Sequence, residues 1–265
     1  MVQEDERLDL VSHLEELRTR LIRVILYALA GATGMWFFYK PIYSFLVRPL
    51  YEPVKKLGGE LAVRGILEGL LIKCEISLIG GIVIAAPFLY REIWGFVAPG
   101  LTHDERRAVR LLGPISGVLF IMGVGLGYLI TGPSVKWLLL YVPPGAKALF
   151  TLNDTLLLVL KFYLAFGISF QLPIVLVVLA QLGIVNATLL TRRWREAVII
   201  IMVIAAVITP TWDPFTMTIC ALPMVALYLG TIWVIRIMER RRRAAELAEQ
   251  ARQAAQTDQA DELAG

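Results

Sequence analysis

Six apolar runs alternate with polar, charge-bearing segments along this 265-residue chain. They cover approximately residues 22–39, 73–97, 111–138, 156–182, 197–210 and 215–235. A helix needs about 20 apolar residues to cross the hydrocarbon core of a bilayer, and the first four runs and the last approach or exceed that length. The fifth run, Ala197 to Thr209, has 13 residues, which by itself also suits a buried or re-entrant segment. Paired with the last run across the turn at residues 210–214, it predicts a short helical hairpin, and the total is six passes.

Composition places the chain among membrane proteins before any motif is considered. Hydrophobic residues make up 57% of the sequence and charged residues 18%, against about 25% charged in soluble domains. A soluble core of this length cannot absorb so much apolar sequence. The net charge is +4. The basic residues lie in short clusters between apolar runs, the distribution that determines membrane topology. This distribution does not indicate a nucleic-acid-binding surface. The predicted fold class is therefore an all-α integral membrane bundle surrounded by lipid, without nucleic acid as a partner.

The distribution of lysine and arginine predicts the orientation. If residues 1–23, 91–110, 192–195 and 236–265 share one side, that side holds 17 of the 26 basic residues, and the positive-inside rule makes it cytoplasmic. An even number of passes then places both termini in the cytoplasm. We predict a cytoplasmic N-terminal segment (1–20), a six-helix transmembrane domain (21–237) and a charged, flexible cytoplasmic tail (238–265). The acidic start MVQEDER is unlike a signal peptide, so we expect the first helix to be uncleaved.

Two polar segments at the predicted inner surface allow both a structural and a functional interpretation. Ser12 with Glu15 fits the S-x-x-E capping box, and so does Thr102 with Glu105. The first box leaves Glu16 unexplained, and its structural alternative is an i,i+4 ion pair with Arg20.

Four further features have local structural explanations. Gln171 lies within the fourth apolar run and needs a partner in hydrocarbon, such as an interhelical hydrogen bond. Asp213 followed by Pro214 suits an N-cap with proline at the first helical position. Gly123 and Gly127 form a GxxxG pair typical of close helix packing. Pro173, two positions after Gln171, is expected to kink or loosen its helix.

Several motifs in order resemble the TatC family, the multispanning subunit of the twin-arginine translocase. His13-Leu14-Glu15-Glu16-Leu17-Arg18 is similar to the family's H-L-x-E-L-R, a register that makes Glu16 the family glutamate. A second motif is similar to F-x-A-P-x-L-x-x-x-E-R-R, carried by Phe96, Ala98, Pro99, Glu105, Arg106 and Arg107. Weaker matches are Pro49 in the first outer loop, Ala165-Phe166-Gly167 with Phe170 and Pro173, and Thr209-Pro210 with Asp213. Gln171 stands where some members have glutamate, which removes a charge from that position.

The resemblance implies a cupped six-helix bundle in the bacterial inner membrane, with short fifth and sixth helices. It implies binding of signal peptides that carry two consecutive arginines, and a guanidinium is always charged and pairs well with carboxylates. We expect Glu16 and Glu105 to accept the two guanidiniums, with Arg18 and Phe96 shaping the site. Supporting or partner-contact roles are expected for His13, Leu17, Pro49, Pro99, Arg106, Gln171 and Asp213.

The implied partners are single-span subunits of the TatA and TatB type, further copies of the chain, and the precursor proteins themselves. No nucleotide-binding loop, metal-ligand set or catalytic constellation is present in the sequence, so we expect no enzyme activity, no cofactor and no metal, with the proton-motive force as energy source. The alternatives are a secondary transporter or channel, which needs several charged residues along a midplane path, and a membrane-embedded enzyme.

Overall fold

The chain folds almost entirely into helices. The computed structural model describes the backbone of residues 2–56, 59–97, 103–143, 149–209 and 213–264, and the side chains within these ranges except at 2–13, 97, 103–111, 254–255 and 257–264. Across the described ranges the helices are α1 (Val2–Phe37), α2 (Tyr39–Lys56), α3 (Glu68–Val97), α4 (His103–Leu139), α5 (Leu152–Ser169), α6 (Leu172–Gln181), α7 (Ala187–Arg192), α8 (Trp194–Ile208) and α9 (Pro214–Ala264). Two short strands, β1 (Glu60–Ala62) and β2 (Leu149–Thr151), join two of the loops.

Five helical segments within the described residues are long and apolar enough to cross a membrane: Leu14–Phe37, Glu68–Phe96, Leu112–Leu139, Leu152–Gln181 and Pro214–Gln253. They correspond to the first four apolar runs and the last, which confirms a helical multi-pass membrane protein. The fifth run forms α8, whose 15 residues span about 22 Å at 1.5 Å per residue. That is shorter than an ordinary membrane-spanning helix, so the count of six passes stays a prediction.

The first helix begins earlier than the sequence motif indicated. Because α1 starts at Val2, Ser12 lies inside a helix and the predicted N-cap at Ser12 is wrong. Neither glycine nor proline interrupts residues 2–12, and the acidic Glu4 and Asp5 are favourable close to a helix N-terminus. The last helix is likewise longer than its apolar run, since α9 continues to Ala264 through the predicted tail; the boundary of that tail stays a prediction.

The fourth apolar run is divided into two helices. Helix α5 ends at Ser169 and α6 begins at Leu172, with Pro173 in the first turn of α6. Proline has no N–H to donate to the preceding turn and its ring crowds the carbonyl four residues earlier. The prediction that Pro173 loosens its helix is confirmed, and the break sets Gln171 at the junction.

Close backbone approaches fix α4 on α5 and α1 on α3. A Cβ on Gly123 would lie 2.7 Å from the carbonyl oxygen of Phe166, and one on Gly127 would lie 3.3 Å from the Tyr163 ring. The prediction that the GxxxG pair mediates helix packing is confirmed. Similarly, a Cβ on Gly31 of α1 would lie 2.5 Å from the carbonyl oxygen of Gly81 in α3. The Gly31–Gly81 contact lets α1 and α3 pack closely side by side at this point.

The two strands connect the loop before α3 with the segment before α5. They pair in parallel, with Glu60 opposite Leu149 and Ala62 opposite Thr151. The Glu68 carboxylate reinforces this link, since it accepts hydrogen bonds from the backbone N–H of Asn153 at 3.1 Å and of Gly65 at 3.3 Å. This connection was not predicted, because three-residue strands leave no periodic signal in a sequence.

Candidate functional site

A cluster of charged side chains joins α1 to the last two turns of α3. It consists of Glu16, Arg20 and Arg23 on α1 with Arg91 and Glu92 on α3, and is referred to below as the Arg20 cluster. Positions 16, 20 and 23 lie on one face of α1 because residues three and four apart are neighbours on a helix. That face is turned toward α3.

Arg20 is the centre of the cluster and touches both carboxylates. Its Nε and Nη2 donate to Oε1 of Glu16 at 2.9 and 2.6 Å, and its Nη1 donates to Oε2 of Glu92 at 3.2 Å. The same Nη1 lies 3.4 Å from the backbone carbonyl oxygen of Glu92. The i,i+4 pair expected as the structural alternative for Glu16 is therefore present, and it continues across to a second helix.

Glu92 is the buried carboxylate of the cluster. Its side chain is only 4% exposed, whereas that of Glu16 is 32% exposed. A buried carboxylate is stable only when it is paired and hydrogen-bonded. Besides Arg20, the Nη1 atom of Arg23 lies 3.7 Å from Oε2, and Nη2 of Arg91 lies 3.6 Å from Oε1. Three guanidiniums therefore surround Glu92, and that of Arg20 also binds Glu16.

Gly95 provides the space in which the Arg20 guanidinium lies. A Cβ at position 95 would overlap Nη1 of Arg20 and lie 3.0 Å from its Cζ. Any larger residue would displace the guanidinium from the surface of α3. The absence of a side chain at Gly95 thus permits the bridge between Glu16 and Glu92.

A second set of polar contacts converges on Ser116 of α4. Trp94, in the last turn of α3, donates from Nε1 to Oγ of Ser116 at 2.7 Å. Gln171 donates from Nε2 to the Ser116 carbonyl oxygen at 3.1 Å. Both Ser116 and Gln171 are buried. The interhelical hydrogen bond expected for Gln171 is confirmed, and Ser116 links α3, α4 and α6 close to the Arg20 cluster.

Asp213 caps α9. Its Oδ2 accepts the backbone N–H of Thr216 at 2.7 Å, and the helix begins at Pro214. This arrangement confirms the predicted N-cap with proline at the first helical position.

The other predicted site residues are only partly described. Leu17 and Arg18 lie on exposed positions of α1, Phe96 is half-buried one turn beyond Glu92, and Pro49 lies within α2. Four predicted site residues have side chains, or whole positions, outside the described residues: His13, Pro99, Glu105 and Arg106. Helix α4 begins at His103, so the backbone of Glu105 lies in its first turn. The convergence of Glu16 with Glu105 stays a prediction.

Glu92 and Gly95 were not predicted from the sequence as site residues, and Arg20 was predicted only as an i,i+4 partner of Glu16. One signal was available for Glu92. It is an acidic residue near the end of an apolar run, between Tyr90 and Trp94, where a carboxylate needs a partner from another helix. Nothing in the sequence showed that Arg20 would supply it, because the contact spans 72 positions.

Comparison with known proteins identifies the family. Residues 12–223 match the family model of the Sec-independent protein translocase protein (TatC). The chain belongs to the TatC family. Among its relatives, a TatC of Xylanimonas cellulosilytica is 36% identical, over 91% of this chain and 88% of the relative. A TatC of Deinococcus radiodurans is 37% identical over 84% of each chain.

Solved structures agree with the family. The crystal structure of a twin-arginine translocase receptor, TatC, in DDM matches with a TM-score of 0.73 and 33% sequence identity, and the match covers 84% of this chain and 99% of that one. TatC membership indicates protein transport as the class of function, and it favours that class over the transporter, channel and enzyme alternatives. In this TatC-family chain the glutamate of the N-terminal motif, Glu16, is the one bound to Arg20.

Proposed function

We propose that the chain is the signal-peptide receptor and core subunit of a twin-arginine translocase. It binds the Arg-Arg signal of folded precursor proteins at the cytoplasmic face of the bacterial inner membrane and scaffolds their export. The observation that carries the proposal is the geometry of Glu16, whose carboxylate already binds a guanidinium through two donors, Nε and Nη2 of Arg20. This is the recognition chemistry that a signal arginine requires.

The location of Glu16 supports its accessibility to a peptide. Its side chain is 32% exposed, and it belongs to the end of α1 that carries the excess of basic residues. A guanidinium–carboxylate pair at an interface is stronger than in bulk water and avoids the full desolvation penalty of deep burial. The surface end of the bundle is therefore a favourable position for exchange with a soluble ligand.

Glu105 is the proposed second acceptor. Arg20 connects Glu16 to Glu92 near the end of α3. Only residues 98–102 of the sequence separate the end of α3 from α4, whose first turn contains Glu105. Two carboxylates on adjoining segments suit two consecutive guanidiniums. Arg18 and Phe96 flank this region on the exposed side of α1 and at the end of α3.

The proposed topology has six passes and two cytoplasmic termini. Helix α8 is the short fifth pass and forms a hairpin with α9, and a short pass favours local thinning of the bilayer. A variant of α8 lengthened by one turn should transport less; unchanged transport would argue against thinning.

The apolar part of the signal would lie against the helices beyond Glu16. Single-span subunits of the TatA and TatB type and further copies of the chain would complete the translocase. We propose that the proton-motive force drives export and that the subunit itself catalyses no reaction.

Site-specific crosslinking tests the receptor proposal. Photoreactive residues replacing Leu17 and Asp104, next to the two proposed acceptors, should both capture a precursor with an Arg-Arg signal. A precursor with Lys-Lys should be captured far less, because an ammonium lacks the planar fork of a guanidinium. Equal capture of the two precursors would contradict the receptor claim.

A further inference from the structure

The Arg20 cluster holds more positive than negative charge before any ligand arrives. Glu16 and Glu92 contribute two carboxylates, and Arg20, Arg23 and Arg91 contribute three guanidiniums. In particular, the charge of Glu16 is already balanced by Arg20 at 2.6 Å. A second guanidinium therefore gains little from Glu16 while Arg20 remains in place.

The surroundings of Arg20 offer a second position for its guanidinium. Nη1 already contacts both the carboxylate and the backbone carbonyl oxygen of Glu92, at 3.2 and 3.4 Å. The guanidinium already lies over Gly95, against α3, while it contacts Glu92. Arg20 can thus release Glu16 and keep its interaction with Glu92, and the buried carboxylate keeps its partner.

We propose that Arg20 is an exchangeable internal guanidinium that occupies Glu16 in the resting state and moves fully onto Glu92 when a signal-peptide arginine binds. This inference rests on the proposed receptor function and adds its mechanism of ligand exchange. Glu92 is then a positioning residue that touches no peptide. It sets the affinity for the signal by determining how readily Arg20 leaves Glu16.

Ligand exchange predicts opposite effects for two double variants of equal net charge. Replacing Arg20 and Glu92 together by glutamine (R20Q/E92Q) removes the competitor, so an Arg-Arg peptide should bind more tightly than to the wild type. Replacing Arg23 and Glu92 (R23Q/E92Q) keeps the competitor and removes its second position, so the same peptide should bind more weakly. Neither double variant leaves a buried unpaired carboxylate at position 92.

The measurement is the equilibrium binding of fluorescent Arg-Arg and Lys-Lys signal peptides to the full-length chain in lipid nanodiscs. We expect the dissociation constant of the Arg-Arg peptide to change by about three- to tenfold in each direction. A tenfold change corresponds to about 1.4 kcal/mol. An effect of overall charge alone would leave both double variants equal to the wild type. A merely structural role of the cluster would weaken binding in both. Either pattern overturns the exchange proposal.

The wild-type chain separates this proposal from the one on which it rests. If the wild type does not distinguish Arg-Arg from Lys-Lys peptides, the receptor function itself fails. If it distinguishes them but R20Q/E92Q binds the Arg-Arg peptide no more tightly, the receptor function stands and the exchange is wrong. Thermal unfolding of each variant in the same nanodiscs identifies any loss of binding that comes from unfolding.

Discussion

Arg20 of α1 and Glu92 of α3 form an ion pair of 3.2 Å, and the same guanidinium lies 2.6 Å from Glu16. One side chain thereby couples the proposed ligand-binding carboxylate to a buried one on another helix. The position of α1 against α3 and the contact of Glu16 with the Arg20 guanidinium consequently depend on each other.

Replacing Gly95 by alanine should disturb this coupling directly. The added methyl group would overlap the Arg20 guanidinium, and because that group ends a flexible side chain, we expect it to shift away from Glu92 without unfolding the bundle. The loss of one charge-assisted hydrogen bond should lower stability by about 1.5–3 kcal/mol, measured by thermal unfolding. Gly69→Ala, on the same helix, is the control because its Cβ would meet nothing within 4 Å. Equal unfolding temperatures for the two variants would show that the guanidinium does not occupy this position.

The contact between α4 and α5 gives a second test. Gly123→Val should destabilise the protein by about 1–3 kcal/mol, typical of overpacking, since a Cβ there would lie 2.7 Å from the carbonyl oxygen of Phe166. Gly125→Val, two positions along the helix, points to open space and should have little effect. The difference in detergent-dependent unfolding between these two variants checks the prediction. A greater loss at position 125 would mean that α4 presents its other face to α5.

Gln171 should contribute through its buried hydrogen bond. Gln171→Leu removes the hydrogen bond that Gln171 donates to the Ser116 carbonyl oxygen at 3.1 Å, and an intramolecular hydrogen bond contributes about 0.5–1.5 kcal/mol to stability. We expect thermal unfolding to show this loss. Gln250→Leu, at an exposed position of α9, serves as the control. A Gln171→Leu variant as stable as the wild type would indicate that the bond is not formed in the membrane.

The cap of α9 predicts a graded response at position 213. Asp213→Ala removes the acceptor of the Thr216 N–H and should lower stability by about 1 kcal/mol, whereas Asp213→Asn keeps an N-cap side chain and should lose much less. Thermal unfolding measures both. If asparagine is as damaging as alanine, the negative charge of Asp213 and not its capping hydrogen bond is what the protein requires.

Hydrophobic run lengths predicted the helical membrane fold well because the bilayer imposes a fixed length on each spanning helix. The local interpretations of Gln171, Asp213 and the Gly123–Gly127 pair were also correct, since each depends on neighbouring positions or on the general need to satisfy buried polar groups. The predicted N-cap at Ser12 was wrong because a capping motif does not by itself mark the start of a helix when the residues before it also favour a helix. The pairing of Arg20 with Glu92 depends on how α1 and α3 pack, and no pattern of neighbouring residues in the sequence indicates that contact.

The central claim is that Glu16 and Glu105 bind the two signal arginines, and affinity measurements test it most directly. Equilibrium binding of an Arg-Arg signal peptide should weaken at least about tenfold in Glu16→Gln and in Glu105→Gln, and each variant should lose most of its preference over a Lys-Lys peptide. Glu15→Gln, the exposed neighbour on α1, should bind like the wild type. Unchanged affinity in the Glu16 and Glu105 variants, or an equal loss in Glu15→Gln, would contradict the account.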